Sequence, residues 1–142
     1  MSAPVRVGII GSGRIARTHA NAYKSVARAA LVGCADVNPE AAKTFAAENG
    51  FKVFDSADAM LQSSEVDAVI IATPNGLHAE QTTAALRAGK HVFCQKPMAH
   101  SLHAARLMAE AAKATLATEA AKRPAVSRCH DTHLMPTVGN SR

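Results

Sequence analysis

Val5-Arg-Val-Gly-Ile-Ile-Gly-Ser-Gly-Arg-Ile-Ala16 is the stretch that decides how this chain folds. A short β-rich apolar run breaks into closely spaced glycines and then turns helical. Gly11 permits a tight turn that a Cβ would obstruct, Gly13 lets backbone approach a diphosphate, and Ala16 keeps the following helix near the strand. Gly11, Ser12, Gly13, Arg14 and Ile15 therefore form a candidate phosphate cradle. Unpaired first-turn amides face the anion and the helix dipole favours its charge. Gly-x-Gly-x-x-Ala alone arises often by chance. Here Asp36 also ends the next apolar run, about 20 residues past the turn, and the conjunction predicts dinucleotide binding. A glycine turn without a ligand is the competing reading.

The length of 142 residues fits one domain that buries roughly two-thirds of its unfolded surface. Its 48% hydrophobic content is heavily alanine and Trp is absent, which suits small-residue helices lying close on a sheet. The longest apolar run, Ala68 to Ala72, is far too short for a membrane span, and the N-terminus lacks a signal-peptide core. No membrane role and a cytoplasmic location are expected. Cys34, Cys94 and Cys129 have no metal-ligand spacing among them, and the first two read as buried reduced thiols. The net charge of +5 comes from scattered residues, so it reads as a solvated surface and not a nucleic-acid interface.

Taken in order, residues 5 to 10 form a strand and residues 15 to 27 a helix with Ile15, His19, Tyr23 and Val26 as its buried stripe. His19 reads as a core histidine with one satisfied hydrogen bond. Residues 30 to 35 are the second strand, and Asn38 caps a helix that buries Ala42, Phe45 and Ala46 and stops at Asn49-Gly50. Residues 51 to 54 make a short third strand, after which Ser56 caps a brief helix. Residues 66 to 72 lack polar alternation, as a strand covered on both faces does. A turn at Thr73-Pro-Asn-Gly76, a helix over 77 to 88 and a fifth strand over 91 to 94 follow. Strands alternating with helices give a doubly wound parallel α/β sheet in the order 3-2-1-4-5.

That order places the ligand over the strand carboxyl ends, between strands one and four. Asp36 then reaches the adenosine ribose, where two hydroxyls arrive as donors and a 2′-phosphate is repelled; this favours NAD, with Arg14 keeping NADP open. Asp36 as a plain turn residue is the alternative. Lys96 sits at the end of strand five with a proline behind it and is the candidate for proton transfer; burial against a nicotinamide would lower its pKa. A surface lysine is the alternative.

Gly11-Ser-Gly-Arg-Ile-Ala16, Asp36, Ala72-Thr-Pro-Asn-Gly-Leu-His78 and Gln95-Lys-Pro97, in this order, resemble the Gfo/Idh/MocA oxidoreductases over roughly residues 4 to 114. The resemblance implies hydride transfer between a nicotinamide cofactor and a carbon of a sugar or polyol. It also implies that Lys96 matches the lysine of a Glu-Lys-Pro motif that positions substrate and assists proton transfer. Thr73, Asn75, His78 and Gln95 match cofactor-cleft positions. His78 serves equally well as a structural contact at a helix start.

Two departures stand out. Gln95 replaces the family's glutamate, which removes a charge beside Lys96. The family's second domain, which walls the substrate, has no counterpart. Ser101 caps a helix carrying Ala105, Met108 and Ala112 and running on toward Arg123, and no strand pattern is expected from Ala125 to Arg142. We therefore divide the chain into a dinucleotide-binding domain, 1–114, and an atypical extension, 115–142. Truncation or a frame change after Ala114 is expected to explain the loss of rhythm. Cys129, His130 and His133 are too loosely set to predict a metal site. The expected behaviour is cofactor binding with little turnover. Alternatives are a noncatalytic nucleotide-binding or oligomerisation module, for which an uncovered fifth strand favours self-association, and a methyltransferase using S-adenosylmethionine, against which Lys96-Pro97 argues.

Overall fold

The computed structural model describes residues 3–118 and a two-residue strand at 127–128. Strand β1 (Val5–Ile10) splits its side chains between two cores. Val7 and Ile9 pack with Ala16, Ala20, Phe45 and Ile70 on one face of the sheet, and Ile10 packs with Met60, Val69, Ile71 and Leu86 on the other. β4 (Ala68–Ile71) divides in the same way, with Ile70 on one side and Val69 and Ile71 on the other. A strand covered on both faces has no solvent side, which accounts for its unbroken hydrophobicity. Each of these buried aliphatic side chains contributes about 1.5–3 kcal/mol.

The helices form the two outer layers. α1 (Arg14–Tyr23) and α2 (Pro39–Asn49) supply one core, and α3 (Ala57–Gln62), α4 (His78–Arg87) and α5 (Leu102–Thr118) the other. β2 (Ala29–Ala35) pairs with β1, and β3 (Lys52–Val53) and β5 (His91–Cys94) extend the sheet on either side. The order 3-2-1-4-5 and the parallel sense agree with the sequence reading. Local signals also hold: Asn38 Oδ1 accepts from the amides of Glu40 at 3.1 Å and Ala41 at 3.2 Å. Ala42, Phe45 and Ala46 are the buried face of α2, which Gly50 closes at φ +73°.

Three features differ from expectation. α1 ends at Tyr23 and not near residue 27, because the amides of Lys24 and Val26 reach back only three residues, to Asn21 and Tyr23. That tightened turn sends the chain toward β2. The buried face of α1 is Ala16 and Ala20, with Ile15, His19 and Tyr23 half-buried and Val26 44% exposed. Two alanines one turn apart let the helix sit closer to β1 than the larger stripe would. Second, a 3-10 turn, Asn75–Leu77, precedes α4.

Third, a strand stands where none was expected: β6 (Ser127–Arg128) adds parallel to β5, pairing with Phe93 and Cys94. Two residues carry no alternation to detect. β5 lies on the far side of β4 from β1, and its outer backbone edge supplies the template for them.

Ser101 caps α5, its Oγ accepting from the Ala104 amide at 3.1 Å, and the helix runs unbroken past residue 114 to Thr118. Its expected continuation to Arg123 and the cluster Cys129, His130 and His133 lie outside the described residues. Cys34 is a buried free thiol, and Cys94 is buried with its Sγ 3.5 Å from Gln95 O. No helix among the described residues is long and apolar enough to cross a membrane.

Candidate cofactor site

The glycine loop sits between the carboxyl ends of β2 and β4. The Gly11 amide donates to Ala35 O at 2.8 Å, and Gly11 adopts φ +99°. A Cβ there would stand 2.8 Å from Ala72 O and 3.0 Å from Ala72 C, both backbone atoms that cannot step aside. Gly13 is the opposite case. It caps α1 at an ordinary φ of −75°, and a Cβ built on it meets nothing within 4 Å. Gly11 is small because the protein is close, whereas Gly13 keeps space open in front of a helix N-terminus with no side-chain cap and no acidic residue in its first turn. Those free amides and that space fit a diphosphate. Ile15 is half-buried beside them and Arg14 is exposed.

Asp36 joins the same loop. Its Oδ2 accepts from Ser12 N at 2.8 Å and Ser12 Oγ at 2.6 Å, and its Oδ1 accepts from Asn38 N at 2.8 Å. Burial works to raise the Asp36 pKa, but the Ser12 hydroxyl and the amides of Asn38 and Ser12 together outweigh it and hold the carboxyl below its ordinary value. The group is therefore an anion at neutral pH, set beside the amides of the loop.

On the other side of the crevice, His78 is 1% exposed and spans two backbone carbonyls. Its Nε2 lies 2.8 Å from Thr73 O and its Nδ1 2.8 Å from Pro97 O. A neutral imidazole donates through only one of its nitrogens. The ring ties the loop after β4 to the loop after β5, which is the structural contact weighed above. Thr73 Oγ1 bonds Gln81 Oε1 at 2.5 Å, fixing the first loop to α4. Asn75 and Lys96 project as exposed residues from the two tied loops, and the Lys96–Pro97 peptide is cis.

Gln95 connects this half to α1. Its backbone N donates to Ile71 O at 3.0 Å, its Oε1 accepts from Lys96 N at 3.2 Å, and its side chain lies beside His19. The His19 ring packs edge-on against Phe93 with centroids 5.3 Å apart, and its Nε2 is buried without a partner. Burial lowers the His19 pKa and Gln95 opposes the shift. The expectation of a packed histidine holds in that His19 is half-buried against Phe93, and its polar neighbour, Gln95, could not be read from the sequence. No spacing links residues 19 and 95.

Hydrogen bonds and backbone geometry thus bring Gly11, Ser12, Gly13 and Asp36 into one cluster, and Thr73, His78 and Gln95 into a second that carries Lys96. A groove of about 840 Å³ lies elsewhere, between α4 and α5, lined by residues such as Ala84, Leu107 and Ala111. It holds neither the free amides nor the Asp36 carboxylate, so a hollow by itself does not mark the site.

Residues 5–119 match the model of the GFO_IDH_MocA oxidoreductase family, NAD-binding Rossmann fold. The chain belongs to that family. It is 43% identical over 108 residues to glucose-6-phosphate 3-dehydrogenase of Bacillus subtilis, covering 76% of this chain and 30% of the relative. It is 39% identical over 131 residues to inositol 2-dehydrogenase of Rhizobium meliloti, covering 92% of this chain and 38% of the relative. Among solved structures, the WlbA dehydrogenase of Bordetella pertussis, in complex with NADH and UDP-GlcNAcA, superposes with a TM-score of 0.77 at 36% identity. That match covers 81% of this chain and 34% of the other. The chain spans about a third of the length of the relatives it matches. The family resemblance read from the motifs is therefore confirmed.

Proposed function

We propose that this chain binds NAD(H) across the carboxyl ends of its strands and is the cofactor-binding unit of an oxidoreductase acting on a sugar or polyol. The bound nicotinamide supplies or takes up the hydride. Gly11 to Ile15 hold the diphosphate, Asp36 the adenosine ribose, and Thr73, Asn75, His78, Gln95 and Lys96 form the nicotinamide side. The observation that carries the reading is the pairing of an anionic Asp36 with the glycine loop, beside a Gly13 that faces open space. An anion at the ribose favours two hydroxyl donors and disfavours a 2′-phosphate, so NAD is preferred to NADP.

Residues 1–114 constitute this unit, with 115–142 as an extension. Lys96, exposed on a tethered loop, delivers or removes the substrate hydroxyl proton as hydride moves. Hydride transfer also needs a wall that holds the substrate in near-attack geometry and excludes water. The described residues leave the Lys96 side open, so this chain alone binds cofactor with little turnover. Isothermal titration with NADH, NAD⁺ and NADP⁺ tests the reading: NADH and NAD⁺ bind, with NADP⁺ weaker by at least about tenfold. Absence of binding, or preference for NADP⁺, refutes it. Gln95, which lacks the charge of the family's glutamate, favours the noncatalytic alternative. An unchanged hydride-transfer rate in Lys96→Ala would support that alternative.

A further inference from the structure

The carboxylate that should meet the ribose is already nearly full. A carboxylate offers about four acceptor positions. Asp36 spends two on Oδ2, to Ser12 N and Ser12 Oγ, and one on Oδ1, to Asn38 N. One position remains, while the two hydroxyls of an adenosine ribose arrive as two donors. Two of the three existing bonds come from backbone amides fixed by the loop and by the turn into α2. Only the Ser12 hydroxyl can leave by a simple rotation about χ1. Ser12 is 4% exposed, so a released hydroxyl is not solvated in place and needs another acceptor. It sits in the loop between Gly11 and Gly13, where the acceptors a ligand brings are phosphate oxygens.

We propose that Ser12 is a selectivity residue whose hydroxyl exchanges acceptors, leaving Asp36 as the ribose binds and moving to the cofactor diphosphate. The inference rests on the NAD-binding reading above. The exchange makes the two halves of the ADP moiety interdependent. A ribose alone must displace a hydrogen bond and strand a buried hydroxyl. A ribose carrying a diphosphate displaces the same bond and replaces it. The loop therefore discriminates against nucleosides that lack phosphate.

Adenosine, ADP and NADH as separate probes test this on the whole chain by titration, with Ser12→Ala compared with wild type. Removing the hydroxyl frees Oδ2 without a displacement, so adenosine should bind about three- to tenfold more tightly, the factor one modest hydrogen bond carries. ADP gains the same advantage but loses a donor to its phosphate, so its affinity should stay level or fall. The preference for ADP over adenosine thus shrinks by at least about three- to tenfold. Ser12→Gly should give the same pattern.

Adenosine binding no tighter in the variants than in wild type overturns the proposal, as do adenosine and ADP shifting by the same factor. If wild type fails to bind NADH, the NAD-binding reading itself falls. A wild-type structure with ADP gives a reading that needs no variant. Ser12 Oγ should lie within hydrogen-bonding distance of a phosphate oxygen, and a hydroxyl still on Asp36 Oδ2 overturns the exchange.

Discussion

Gly11→Ala and Gly13→Ala look alike on paper, two alanines two residues apart in one loop, and the structure separates them sharply. At Gly11 the backbone has φ +99°, and the added methyl would sit 2.8 Å from Ala72 O and 3.2 Å from Thr73 N. Positive φ costs a non-glycine residue about 1–2 kcal/mol. Overpacking against backbone that cannot rotate away adds about 1–3 kcal/mol. The expected loss is therefore about 2–5 kcal/mol, a large share of the stability of a typical domain.

At Gly13 the φ is ordinary and the methyl meets nothing. The only structural cost is a poorer N-cap, about 0.5–1 kcal/mol. Urea unfolding followed by circular dichroism reads the difference. With a slope of about 2 kcal/mol per molar, Gly11→Ala should lower the midpoint by about 1–2.5 M and Gly13→Ala by no more than about 0.5 M. NADH affinity should reverse the ranking in the folded proteins, since the Gly13 methyl fills the space left for the diphosphate. A Gly11→Ala midpoint within about 0.5 M of wild type, or Gly13→Ala as damaging as Gly11→Ala, would refute the reasoning.

His78→Leu removes the one N–H that the ring donates to the Thr73 or Pro97 carbonyl, and should cost about 1–3 kcal/mol in urea unfolding. Asp67 is held at about 2 by its hydrogen bond to the Arg6 side chain, against burial and with the Arg6 amide and charge adding to it. A folded carboxyl below its unfolded value contributes stability that is full above about pH 4 and lost as pH falls toward 2, so thermal melts of Asp67→Asn should show a flatter acid limb there. Burial lowers His19, so the folded state prefers the neutral ring and loses stability as pH falls below about 6.5. His19→Phe should flatten the melting profile between about pH 7 and 5.

Much of the fold was legible because its signals are local. Asn38 and Ser56 cap where a side-chain oxygen at the right spacing meets free amides, and the unbroken run around Val69 and Ile70 states its double burial directly. Gly11 and Asp36 were legible as a pair because a strand, a turn and a second strand fix their separation. The exit of α1 was misread because Val26 continues the helical period while the path to β2 calls for a turn. β6 was invisible, since its existence depends on the outer edge that β5 offers to it.

In the site, the residue types announced themselves while their partners did not. Nothing in the spacing says that Ser12 Oγ rests on Asp36, that Gln95 lies beside His19, or that His78 spans Thr73 and Pro97. These contacts join distant parts of the chain across a crevice and follow only from the packed sheet.

The clasp made by His78 has a bearing on how this crevice can be re-engineered. Because one ring fastens both segments that flank the nicotinamide side, neither can be redrawn alone: a graft at Asn75 would tug on Lys96, and a change around Pro97 would be felt at Thr73. That half of the crevice behaves as a single jaw, and evolution or design must replace it whole.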